Sequence, residues 1–110
     1  MPFEQYHEPT GELSPETRTF ARICTSLIEE TEAINWYQQR ISVETDAEAR
    51  AIMDNAQLEE FKHFAMDLEF LTRRDRRWRA ALETVLFKSG DIVEHGEQAE
   101  EAGEEAGEAR

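Results

Sequence analysis

The stretch SPETRTFARICTSLIEETEAINWYQQRI (residues 14–41) has the grammar of one long helix. Ser14 offers a side-chain acceptor to the first free backbone N–H groups. Pro15 suits the first helical position, where its missing N–H would have no partner, and Glu16 sets negative charge at the positive end of the helix dipole. From there Phe20, Ile23, Leu27, Ile34, Tyr37 and Ile41 recur at steps of three, four and seven, the repeat of a helix that packs on other helices. One member of that series is not apolar: between Leu27 and Ile34 the seam position is Glu30.

A second helix follows a short break at residues 42–46, where Ser42, Val43 and Thr45 interrupt the pattern. Thr45 with Glu48 matches a capping box, predicting a helix over about residues 46–72. Ala49, Met53, Ala56, Glu60, His63 and Phe70 lie on one stripe of it, and Leu58, Phe61, Ala65 and Leu68 on another. A helix apolar on two sides needs more neighbours than one short chain supplies. A third, shorter helix is expected from Asp75 as its cap, burying Trp78, Leu82, Val85 and Leu86 and stopping at Ser89 and Gly90. On either side, Pro2, Pro9 and Gly11 mark residues 1–13 as an irregular arm, and residues 91–110 read as a disordered acidic tail, leaving 14–90 as the helical domain.

The 110 residues bound this to one domain with a modest core, so self-association is plausible from size alone. The net charge of −13, of which −7 falls in residues 91–110, repels nucleic-acid backbones and anionic membranes and favours cations. A single cysteine, Cys24, excludes an intramolecular disulfide, and no apolar run is long enough to span a bilayer. The expectation is a soluble cytoplasmic chain. The arginines at 73, 74, 76, 77 and 79 suggest a nucleic-acid surface at first sight, but beside so many acids they read better as ion pairs between subunits.

The short link folds the first two helices into an antiparallel hairpin, in which residues equidistant from the turn share a height. The midpoint of positions 30 and 60 is 45, inside the link, so Glu30 and Glu60 should face each other, with His63 one turn away. Two desolvated carboxylates repel, and a cation relieves both the repulsion and the desolvation. Carboxylate oxygen with imidazole nitrogen and no thiolate suits iron, manganese or zinc. Di-iron carboxylate bundles use a Glu from each of two helices and a Glu-x-x-His from each of the other two, so one hairpin carries half a set and a two-fold-related copy would complete it. Plainer readings stand beside this one: a lone Glu-x-x-His is common on exposed helices, and a polar seam residue can fix helix register. A non-catalytic helical adaptor, a metal-binding interaction protein, or a zinc or manganese hydrolase would keep the same hairpin. Glu29 and Glu32 make a dense acidic patch with Glu30, and Tyr37 lies on the seam two turns further on, as packing or as a partner to the site.

The runs LIEETEAINWYQQR (27–40) and NAQLEEFKHFAMDLEFLTRRD (55–75), with VLF (85–87) and HEP (7–9), closely resemble the encapsulated ferritins, short two-helix ferritin-like proteins carried as cargo in encapsulin nanocompartments. The similarity spans residues 7–95. It implies an all-α fold in which the hairpin and its short C-terminal helix dimerise into a ferritin-like four-helix bundle, and a ring-shaped decamer of five dimers. It also implies a ferroxidase that oxidises Fe(II) to Fe(III) at a site for two irons between protomers, delivering iron for storage inside an encapsulin shell. By resemblance the iron ligands are Glu30, Glu60 and His63, Tyr37 is a tyrosine near the irons, and Glu29 and Glu32, with Trp36 beside them, form a secondary divalent-cation site on the route in. Thr31, Asn35 and Lys62 stand where Leu, Asp and Glu would be expected; none is a ligand position, though Lys62 lowers the local acidity. Family members usually carry a C-terminal targeting peptide of the LTVGSLRR type, whereas this sequence closes on EEAGEAR (104–110), so placement in a shell rests on the resemblance.

Overall fold

A computed structural model of the chain describes residues 4–108, and every regular element among them is helical. A single 3-10 turn, Thr10–Glu12, precedes α1 (Pro15–Val43), α2 (Ala47–Arg74), α3 (Arg76–Val85) and α4 (Ile92–Glu108). The chain divides into two compact units, Met1–Leu68 and Glu69–Arg110, with the division inside α2. None of the helices is long and apolar enough to cross a membrane.

In the first unit α1 starts as its sequence dictates: the Ser14 hydroxyl accepts from the Thr17 N–H at 3.1 Å, and Pro15 occupies the first turn. It ends where Glu44 turns extended, with the Glu44 N–H still bonded to the Arg40 carbonyl at 3.0 Å. The expected Thr45–Glu48 box is replaced by two other devices. The Glu44 carboxylate accepts from the N–H groups of Thr45 (3.1 Å) and Asp46 (3.0 Å), holding the link tight, and Asp46 caps α2 by accepting from the Ala49 N–H at 2.9 Å. A charged carboxylate is a stronger acceptor than a hydroxyl at the positive end of a helix, so the cap moves one residue along.

α1 and α2 run antiparallel. The side-chain amide of Gln57 donates to the Ile34 carbonyl (3.1 Å) and to Gln38 Oε1 (2.9 Å), pinning the register between the helices. Ile41 is buried, and Ile23, Leu27, Ile34 and Tyr37 are half-buried. The second apolar stripe of α2 finds no cover within the chain, for Leu58 is 67% and Phe61 52% exposed.

In the second unit Asp75 caps α3 through the Arg77 N–H at 2.8 Å, and its other oxygen accepts from the Arg77 guanidinium at 2.7 Å. α3 stops at Val85, short of the expected Ser89 and Gly90: Leu86 is extended, Phe87 is left-handed at φ 60°, and Gly90 takes φ 104°, a value that suits a residue without a Cβ. Leu86 is accordingly 39% exposed, not buried as its spacing had suggested.

The acidic tail corrects the sequence reading most sharply, since residues 92–108 form a helix. Asp91 caps it by accepting from the N–H groups of Val93 (2.8 Å) and Glu94 (3.2 Å). Ala99, Ala102, Gly103, Ala106 and Gly107 then fall at helical spacing; Ala99 is buried and the others half-buried, while the glutamates between them are exposed. α4 lies against α3, and the small side chains allow close approach; a Cβ on Gly107 would sit 3.7 Å from Arg77 Cδ. The disorder argument failed because it looked for large apolar residues, whereas this contact is made with small ones. Nor do the arginines need another subunit for their charges: Arg73 pairs with Glu69, Arg79 with Glu83 and Arg77 with Asp75, and the Arg74 guanidinium lies 4.3 Å from the Phe70 ring centre.

Candidate metal centre

Glu30 lies midway along α1, about four turns from the N-terminal cap of that helix in one direction and from the link in the other. Its seam position turns the carboxyl toward α2, where Glu60, His63 and Asp67 follow at steps of three and four on one face. Burial is the first cause that pushes the Glu30 carboxyl up to about 7; a hydrogen bond with the Asp67 side chain, the Asp67 charge and the Glu60 charge add to it, and His63 acts against them. Glu30 Oε2 and Asp67 Oδ2 are both buried and without hydrogen-bond partners. Two carboxyl groups can hydrogen-bond only through a shared proton, and no other donor reaches these two oxygens.

His63 and Glu60 form the other half of the arrangement. His63 Nδ1 is 2.9 Å from Glu60 Oε1, with the side chains 45% and 22% exposed. A carboxylate only accepts, so Nδ1 carries a proton, and in the neutral ring the Nε2 lone pair is then free for a Lewis acid. The second Glu60 oxygen remains outside this bond.

The structure thus gathers Glu30, Glu60 and His63 at one height of the hairpin, yet among the described residues no three His, Cys, Asp or Glu side chains converge closely enough to enclose a metal ion. Glu29, Glu32 and Trp36 are exposed on α1, Trp36 by 50%. Tyr37 is half-buried with the Arg40 guanidinium 5.2 Å from its ring centre. Asp67 went unnoticed in the sequence, although the stripe running through Glu60, His63 and Phe70 passes through position 67. A carboxylate at the next step of a Glu-x-x-His face was the available signal.

A sequence profile described as EncFtn-like matches residues 5–89. The chain belongs to the EncFtn-like family. Relatives of this EncFtn-like chain include a ferritin-like protein of Thermotoga maritima, 41% identical over 94% of this chain and 91% of its own. An encapsulated ferritin-like protein of Rhodospirillum rubrum is 44% identical over 92% of this chain and 71% of its own. A crystal structure of a protein from Nitrosomonas europaea superposes with a TM-score of 0.78 at 42% identity, covering 81% of this chain and 99% of that one. The all-α hairpin is therefore the EncFtn-like fold, and the Glu30, Glu60 and His63 positions lie inside the span the family profile covers.

Proposed function

We propose that this EncFtn-like protein is a ferroxidase whose active unit is a pair of hairpins. Two copies related by a two-fold axis form a four-helix bundle and bring Glu30, Glu60 and His63 of each together around two ferrous ions, the substrate. The observation that carries this reading is the buried Glu30 oxygen without a partner, facing acidic side chains and a histidine with an open nitrogen. Such a donor set lacks one ingredient, a cation, and hard oxygen ligands with imidazole fit iron. Iron fits the family as well, since its relatives are named as ferritin-like.

Carboxylates favour the ferric product over the ferrous substrate, which makes each Fe(II) easier to oxidise. Two Fe(II) give up one electron each, and dioxygen takes both with two protons to form hydrogen peroxide. Glu60 orients the His63 ring, and Tyr37, two turns along the seam, is the tyrosine near the irons in this reading. Glu29 and Glu32, exposed with Trp36, form a secondary cation site that feeds the centre. The relative named as encapsulated supports a place as cargo in an encapsulin shell, where oxidised iron is stored; five such dimers closing into a ring are part of this proposal.

The test is aerobic Fe(II) oxidation followed optically for the full chain and for Glu30→Ala, Glu60→Ala and His63→Ala, with mass by light scattering in parallel. The proposal expects each variant to oxidise iron at least about tenfold more slowly while still associating. Unchanged rates in all three would leave a helical adaptor as the better description, and one tightly held zinc per chain after iron loading would favour a hydrolase.

A further inference from the structure

Glu30 and Asp67 face each other from opposite helices of the hairpin, near enough for Asp67 to push the Glu30 carboxyl up, and each has a buried oxygen without a hydrogen-bond partner. Leaving two acceptors unsatisfied away from water is costly, and no donor side chain is bonded to either oxygen. His63, one turn before Asp67, is already committed through Nδ1 to Glu60, and in the neutral ring its Nε2 is a lone pair, not a donor. Beyond the His63 Nδ1–H bonded to Glu60, the four side chains bring an excess of acceptors to one another. We propose that Asp67 is a direct ligand of this site, so that each hairpin contributes three carboxylates and one imidazole, with Glu30 and Asp67 together seating a divalent cation from the two helices.

This rests on the reading that Glu30 binds a cation, and it adds a residue for which position 67 had shown no role. An extra carboxylate makes the site harder and more anionic, which favours Mn(II) and iron over softer ions. It also ties α1 to α2 through the ion, so loading the site should stiffen the hairpin at the level of Glu30.

The experiment uses the full chain with Mn(II), whose free-ion electron-paramagnetic signal is lost on binding, and Co(II), whose visible band reports the ligands in contact. Asp67→Asn is compared with Glu30→Gln and with Glu59→Gln, which removes the same charge from an exposed position paired with Lys62. The expected result is that Asp67→Asn weakens Mn(II) binding about tenfold or more and changes the Co(II) band, while Glu59→Gln does neither. Wild-type affinity in Asp67→Asn with Glu30→Gln impaired would overturn the assignment of Asp67 alone. No Mn(II) binding by the wild type, or none lost in Glu30→Gln, would overturn the ferroxidase reading and this proposal with it. If Asp67→Asn loses its helicity by circular dichroism, Asp67→Glu takes its place: the charge is kept and the reach altered, so an unchanged Co(II) band would overturn direct contact.

Discussion

Gln57 of α2 donates to the main-chain carbonyl of Ile34 in the middle of α1, and the same amide reaches Gln38 Oε1. One side chain therefore spans the two helices one turn from Glu60 and sets which residues of α2 stand opposite Glu30. Replacing Gln57 with Ala removes two hydrogen bonds and should lower stability by about 1–2 kcal/mol. Urea unfolding would measure this. Iron oxidation should fall as well, although Gln57 is not a ligand, because the register of the carboxylates loosens.

The Glu30 carboxyl gives the metal-free protein a signed pH dependence. Its folded value of about 7 stands above the ordinary 4.5, raised first by burial and then by Asp67 and Glu60. The folded state therefore holds the proton more tightly than the unfolded chain. The stability this supplies is fully present below about pH 4.5 and is lost as pH rises through about 7. Melting temperatures of wild type and Glu30→Gln across that window should diverge, with the Gln variant losing less toward high pH. Cations compete with that proton, so Mn(II) affinity should rise through the same window in the wild type.

Leu58 and Phe61 on the uncovered stripe of α2 test association. Each of Leu58→Asp and Phe61→Asp should shift the mass in light scattering to that of a single chain, because charge at an apolar contact is strongly unfavourable. Helicity by circular dichroism should persist, and Fe(II) oxidation should drop with the mass. Rapid oxidation by a demonstrated single chain would contradict a shared centre.

The cap of α4 offers a test in the other unit. Asp91 satisfies two N–H groups at the start of that helix, and Asp91→Ala should cost about 1 kcal/mol. Hydrogen exchange should quicken first at Val93 and Glu94, with little change in α1.

The hairpin was legible because it is written in large side chains. The Phe20 to Ile41 seam, the cap at Ser14 and the symmetric spacing of Glu30 and Glu60 about the link all follow from helical geometry. What escaped reading was local or small. Two consecutive candidates for the α2 cap differ by one residue, and the choice of Asp46 over Thr45 depends on where Glu44 directs its carboxylate. α4 escaped because its inward face is made of Ala and Gly, which composition counts as neutral. Asp67 escaped because a second carboxylate on that α2 face gains meaning only with Glu30 opposite it.

Only Ile41, Leu71 and Ala99 are buried among the described residues. So small an interior would leave a lone chain open to cellular proteases, and under the proposed pairing its persistence would depend on meeting another copy. Where active centres arise from pairs, their number grows with the square of chain abundance at low expression, so modest induction would produce a disproportionate rise in iron-handling capacity.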